Sequence, residues 1–183
     1  MAWRHIFPES MRDIAVATST DGGRTFSQPE RVNEDKWQLS GCPDDGPAMA
    51  IDPGGVAHLA WPTLVGQDPP QKAVVYAFTK DGRTFEPRVI LSGDKQEDAA
   101  HPQIAGDAAG NIGVVWDEQD ADVRRIVLRT SAAGANRFGA PRALNTGGSA
   151  FHPVIAGLGK GFVVAWGSGT ELQSAIVVQR TAY

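Results

Sequence analysis

The sequence repeats itself. Trp61, Trp116 and Trp166 each close a short apolar run, and they recur at intervals of roughly 50 residues. Ahead of them Gly46-Pro47-Ala48-Met49-Ala50, His101-Pro102-Gln103-Ile104-Ala105 and His152-Pro153-Val154-Ile155-Ala156 align as one element. Trp3 opens the series with only a remnant of such a run before it. Behind each tryptophan comes another β-rich run that ends in Thr: Thr18, Thr79, Thr130 and Thr181. Repetition in register at this period builds an array of like units, each burying its apolar faces against its neighbours.

Each unit reads as four short strands. In the third unit they fall at 102–106, 111–116, 125–130 and 141–144, separated by Asp-, Asn- and Gly-bearing turns. Val, Ile, Trp and Thr dominate them, as β propensity expects. The runs Val74-Val75-Tyr76, Ile126-Val127-Leu128 and Ile176-Val177-Val178 are apolar on both faces, which suits sheets packed between other sheets. No stretch shows a 3.6-residue apolar period. The expected fold is therefore all-β: a β-propeller of four-stranded blades. A β-sandwich is the alternative, but it would not need the in-register repetition. The expected division is a partial blade at 1–43, full blades at 44–97 and 98–148, and a partial blade at 149–183. Such a segment leaves blade edges open and invites self-association.

Composition narrows the function classes. At 42% hydrophobic and 21% charged residues, the 183-residue chain has the make-up of a folded domain. A net charge of −4 argues against a nucleic-acid surface, and no apolar run reaches membrane-spanning length. The lone Cys42 excludes an internal disulfide framework. Because the first unit lacks its opening strand, the chain reads as an internal segment. Its compartment stays open, and is extracytoplasmic if the parent protein carries a signal peptide missing here.

The stretch Ser19-Thr20-Asp21-Gly22-Gly23-Arg24-Thr25-Phe26 is a hairpin turn in which Asp21 accepts from following N–H groups and the glycines supply positive φ. Its order Ser-x-Asp-x-Gly-x-Thr-Phe resembles the Asp box, or bacterial neuraminidase repeat, through Ser19, Asp21, Gly23, Thr25 and Phe26. A second copy, one residue shorter, carries Thr79, Asp81, Gly82, Thr84 and Phe85, and a third at 130–138 has Ala132 where the Asp would be. The resemblance is to the sialidase-like propeller family, and these box residues are expected to stabilise turns, at the end away from ligands.

In a propeller the second-to-third strand loops and the inter-blade links share the other end. The sequence places those loops at 4–13, 62–72, 117–124 and 167–174. The candidates converging there are Arg4, Arg12, Asp13, Trp37, Asp44, Asp45, His101, Asp117, Glu118 and His152. Each has a bland reading beside the functional one. His101 and His152 repeat at one blade position, as a structural pair or a site pair. With Gly46 in the equivalent place no three-His metal ring forms, and neither metal nor cofactor is expected. Asp117-Glu118 reads as acid and base or as loop carboxylates, Arg12-Asp13 as a local ion pair, and Arg4 with Arg12 as part of an anion clamp. Trp37, outside the repeat and next to Asp44 and Asp45, is expected to be partly exposed, as a sugar-contacting aromatic would be.

Sialidase resemblance implies three arginines on a sugar carboxylate, an Asp acid/base and a Tyr nucleophile assisted by Glu. The family's Arg-Ile-Pro signature is absent, Tyr76 lies in a strand and Tyr183 ends the chain, so no motif carries a catalytic residue over. The reading that follows is a glycan- or protein-binding propeller module, with carbohydrate the partner it points to. A fragment of an exo-sialidase or related glycoside hydrolase, and a purely structural fragment, stand as alternatives. Whether the chain is an enzyme stays open.

Overall fold

A computed structural model describes residues 1–38, 45–66, 69–92, 98–170 and 172–182. The candidate Asp44 lies outside them, as does Cys42. The strands are β1 (Ala2–Phe7), β2 (Met11–Val16), β3 (Glu30–Arg31), β4 (Ala48–Ile51), β5 (Ala57–Val65), β6 (Gln71–Thr79) and β7 (Val89–Ile90). They continue with β8 (Ala100–Gly106), β9 (Ile112–Asp120), β10 (Val123–Ser131), β11 (Arg142–Ala143), β12 (Ala150–Gly157), β13 (Gly161–Gly169) and β14 (Ser174–Ala182). The one helical element among the described residues is the 3₁₀ turn Pro8–Ser10, so no helix there is long and apolar enough to cross a membrane.

These strands form four antiparallel sheets, β1-β2-β3, β4-β5-β6-β7, β8-β9-β10-β11 and β12-β13-β14. Two four-stranded blades thus stand between two three-stranded ones, in an open, incomplete propeller. The inner strands β4, β8 and β12 lie side by side, with β8 in the middle.

Three apolar clusters fill the gaps between blades. Ile14 and Val16 meet Leu59, Trp61 and Val75. Ala60, Val74 and Tyr76 meet Ile104, Val114 and Trp116. Val115, Ile126 and Leu128 meet Val164 and Trp166. The doubly apolar runs explain themselves here, since Val74 and Tyr76 enter one cluster while Val75, pointing the other way, enters another. Burial on both faces is what makes an alternating pattern unnecessary.

One expectation is corrected. The second strands do not end at the tryptophans but run three or four residues past them, to Phe7, Val65, Asp120 and Gly169, and the third strands begin at Met11, Gln71, Val123 and Ser174. Arg4, Arg12, Asp13, Asp117 and Glu118 therefore sit in paired strands, not loops. The ladder needs only backbone groups, so polar side chains do not interrupt it.

Candidate functional site

The inner strands begin irregularly, for a reason visible in the sequence. Pro102 and Pro153 have no N–H to give to a ladder, and the register of β8 and β12 shifts across them, between Ala100 and Gln103 and between Phe151 and Val154. The preceding histidines take up the distortion, with φ of 52° at His101 and 51° at His152. That left-handed conformation is uncommon for any residue but Gly. It turns both imidazoles toward each other, ring centroids 4.1 Å apart.

Asp117 holds the pair. Its side chain is fully buried on β9, opposite Ala100. Oδ2 accepts from His101 Nδ1 at 2.8 Å and from the backbone N–H of His152 at 2.8 Å. Oδ1 accepts from Arg124 Nε at 3.0 Å, and Arg124 also reaches the carbonyl of Asp98. A buried carboxylate with a facing guanidinium and two further donors has its charge well satisfied. The other side of His101 meets Asp45, with Nε2 3.3 Å from Oδ1, while Lys72 Nζ holds Asp45 Oδ2 at 2.9 Å.

Asp45, Gly46, His101, Gln103, His152 and Val154 line an open cleft of about 230 Å³ at the starts of β4, β8 and β12. The Gln103 amide and the His152 imidazole, both exposed there, can exchange hydrogen bonds with hydroxyl-rich ligands. The structure thus brings Asp45, His101, His152 and Asp117 together. Lys72 and Arg124 join them without having been singled out from the sequence. The signal was present: Arg12, Lys72 and Arg124 each stand three residues before the partner of a repeat tryptophan, namely Ala15, Val75 and Val127.

No protein-family profile and no curated protein matches this sequence. Solved structures do resemble it. A protein of unknown function from Dyadobacter fermentans aligns at 14% identity and a TM-score of 0.68, over 98% of this chain and 51% of its own. An endo-arabinase from Bacteroides thetaiotaomicron aligns at 15% identity and 0.55, over 94% and 67% respectively. A structure named only as a glycoside hydrolase gives 14% and 0.51, over 93% and 41%. The likeness is one of fold. Glycoside-hydrolase-like propellers share it, and this chain spans about half the length of the Dyadobacter protein.

The remaining candidates lie apart from the cleft's lining. Arg4 donates to the carbonyls of Arg12 at 3.0 Å, Pro62 at 2.9 Å and Asp45 at 3.3 Å, and its guanidinium lies 4.4 Å from the Trp37 ring centroid. It braces backbone rather than presenting a clamp. Trp37 is 8% exposed, not the surface aromatic expected. The physical reason is a short added pairing, because Arg12 N–H bonds the Trp37 carbonyl at 2.9 Å and Met11 bridges Gln38. Asp13 pairs with Arg31 rather than with its neighbour Arg12. Asp117 and Glu118 are both buried rather than surface carboxylates, and Glu118 Oε2 accepts from the Trp116 indole N–H at 2.6 Å. Tyr76 is core: its hydroxyl meets His58 Nδ1 at 2.6 Å, and burial pushes its pKa upward.

The two hairpin turns are built alike. Asp21 Oδ1 accepts from the N–H groups of Arg24 and Thr25, both at 2.9 Å, and from Ser19 Oγ at 2.8 Å. Asp81 Oδ1 does the same for Arg83 and Thr84, both at 2.8 Å, and for Thr79 Oγ1 at 3.0 Å. The shorter turn keeps the pattern by taking its two backbone donors one residue earlier, with the hydroxyl donor two residues ahead of the Asp in both.

Proposed function

We propose that this chain is a segment of a sialidase-like, Asp-box propeller that binds glycan through the cleft at the starts of β4, β8 and β12. The observation that carries the reading is the cleft itself, an open depression in which Asp45, His101, Gln103 and His152 meet beside backbone that Asp117 holds rigid. Sugars are recognised by such planar, multidentate polar groups. The paired Asp-centred turns support the sialidase-like part of the reading, and the names of two fold neighbours, an endo-arabinase and a glycoside hydrolase, support the carbohydrate part. A glycan array followed by titration calorimetry on the folded chain tests it. Binding that falls in His152→Ala and Gln103→Ala is expected, and a folded chain without any reproducible glycan ligand sinks it.

A hydrolytic reading has one observation behind it, the convergence of two carboxylates, Asp45 and Asp117, on the ring of His101. Turnover of a fluorogenic sialoside by the parent protein across roughly pH 4 to 7, where carboxyl catalysts operate, would favour it. The saturation and full burial of Asp117 argue for binding over chemistry.

A further inference from the structure

We infer that the cleft selects neutral glycans over acidic ones, sialosides included, a selectivity that rests on the glycan reading of the same site. The side chains of its lining that stand exposed are Gln103, His152 and Val154. An amide offers both a donor and an acceptor, as a sugar hydroxyl does, so Gln103 can answer hydroxyls in either sense. Val154, 56% exposed, adds apolar surface for the C–H face of a sugar ring. A carboxylate is a different guest. It only accepts, and it brings a full charge that the site must meet with a cation.

Among the described residues that line the cleft there is no lysine or arginine. The cations bonded to its surroundings are committed to the protein. Lys72 Nζ lies 2.9 Å from Asp45 Oδ2. Arg124 gives two of its nitrogens to Asp117 Oδ1 and a third bond to the Asp98 carbonyl. Arg4 donates to the carbonyls of Arg12, Asp45 and Pro62, with its guanidinium on the Trp37 ring. Asp45 and Asp117 are buried, so a ligand that drew Lys72 or Arg124 away would strip a buried carboxylate of its counter-charge, which is costly. His101 adds no free charge, because it stands between those same two carboxylates, Nε2 3.3 Å from Asp45 and Nδ1 2.8 Å from Asp117. Sialoside recognition of the kind the Asp boxes imply needs arginines that face the ligand. Here Arg4 and Arg124 face the protein instead.

The test sets each neutral glycan beside its own acidic counterpart. An array of matched pairs is probed with the folded full chain: oligosaccharides with and without a terminal sialic acid, and others carrying a hexose or the corresponding uronic acid. The work is done at about pH 7.5, above the range in which an ordinary histidine takes up a proton. Hits are titrated by calorimetry. Neutral members should bind at least about tenfold more tightly than their acidic partners. Their affinity should change less than about twofold when salt is raised, since salt screens charge-assisted contacts. Val154→Arg, and Gln103→Lys as a second variant at an exposed position, each add an uncommitted cation to the lining. With folding checked by circular dichroism, both should narrow the preference at least about threefold by strengthening acidic binding. A parent chain that prefers the acidic members would overturn the selectivity and leave the glycan reading standing. A folded chain that binds neither member of any pair would sink both. Discrimination left unchanged in both folded variants would show that missing charge does not set it, and would overturn the inference as well.

Discussion

One carboxylate oxygen of Asp117 accepts the backbone N–H of His152 at 2.8 Å, across the gap from the second strand of one blade to the first strand of the next. That bond meets His152 where its φ is 51° and its ladder is broken by Pro153. The same oxygen accepts from His101 Nδ1. A single buried group thus sets the positions of both cleft histidines, and blade packing and site geometry become one problem.

Asp117→Asn keeps the shape of the side chain and removes its charge. Arg124, whose side chain is mostly buried, is left with Asp98 at 3.7 Å as its nearest counter-charge. Breaking one side of a buried pair is costly, and with Arg124 partly wetted the loss should be about 2–3 kcal/mol in urea unfolding. Asp98→Asn removes only an exposed partner and should change stability by less than about 0.5 kcal/mol. Equal effects for the two variants would show that Asp117 does not hold the blades together.

The two Asp-centred turns should respond to acid. Both carboxyls titrate below the usual range, Asp21 mainly through the Thr25 hydroxyl and Asp81, at about 2, mainly through the Thr84 N–H. A depressed folded pKa stabilises above the unfolded value near 4, and that contribution is lost as pH falls through the folded value. Asp21 has the extra hydroxyl donor, Thr25 Oγ1 on Oδ2 at 2.7 Å. Asp21→Ala should therefore lower the melting temperature more than Asp81→Ala at neutral pH. Both differences from the parent should shrink between about pH 4 and pH 2. Differences that persist unchanged at pH 2 would contradict the role given to the charged carboxylates.

Trp37→Ala should act on the fold. The indole is buried, carries the Arg4 guanidinium on its face and sits in a segment tied to β2 through Arg12. Truncating a buried aromatic costs about 3 kcal/mol or more, and the released Arg4 adds to it. Thermal melting is the measurement. A variant that melts like the parent would return Trp37 to the surface and to the list of sugar contacts.

The fold was legible because the repeat ties apolar residues to fixed blade positions. Trp61, Trp116 and Trp166 could each be placed in an inter-blade core before any coordinate, and each lies there. The ends of the hairpins were not legible. Asp117, Glu118 and Gln119 read as a polar loop, yet backbone pairing carries them as strand, facing Ile126, Arg125 and Arg124. Trp37 misled for the opposite reason, since it lies outside the repeat and nothing in its neighbours announces the bridge to β2. The cleft was half legible. The aligned His-Pro steps marked its two histidines, but Asp117 and Arg124 read as parts of one polar loop rather than as partners across a hairpin, and Asp45 and Lys72 come from separate stretches of the chain.

The last blade presents an apolar face to solvent. On β14, Ile176 is 75% and Val178 64% exposed, while Val177 between them packs toward the cluster around Trp166. Their counterparts Ile126 and Leu128 on β10, and Val74 and Tyr76 on β6, are buried between neighbouring blades. Among the described residues β14 is also an edge strand, nine residues long, with β13 as its one partner in the sheet. Apolar edges of this kind pair with whatever strand or face they meet. The 183-residue chain is therefore expected to self-associate, with a mass by light scattering that rises with concentration. The double substitution Ile176→Lys with Val178→Lys should shift it toward monomer while leaving the melting temperature within a few degrees, since neither side chain is buried. A parent chain that stays monomeric at every concentration would show that this face is closed in solution by some other part of the molecule.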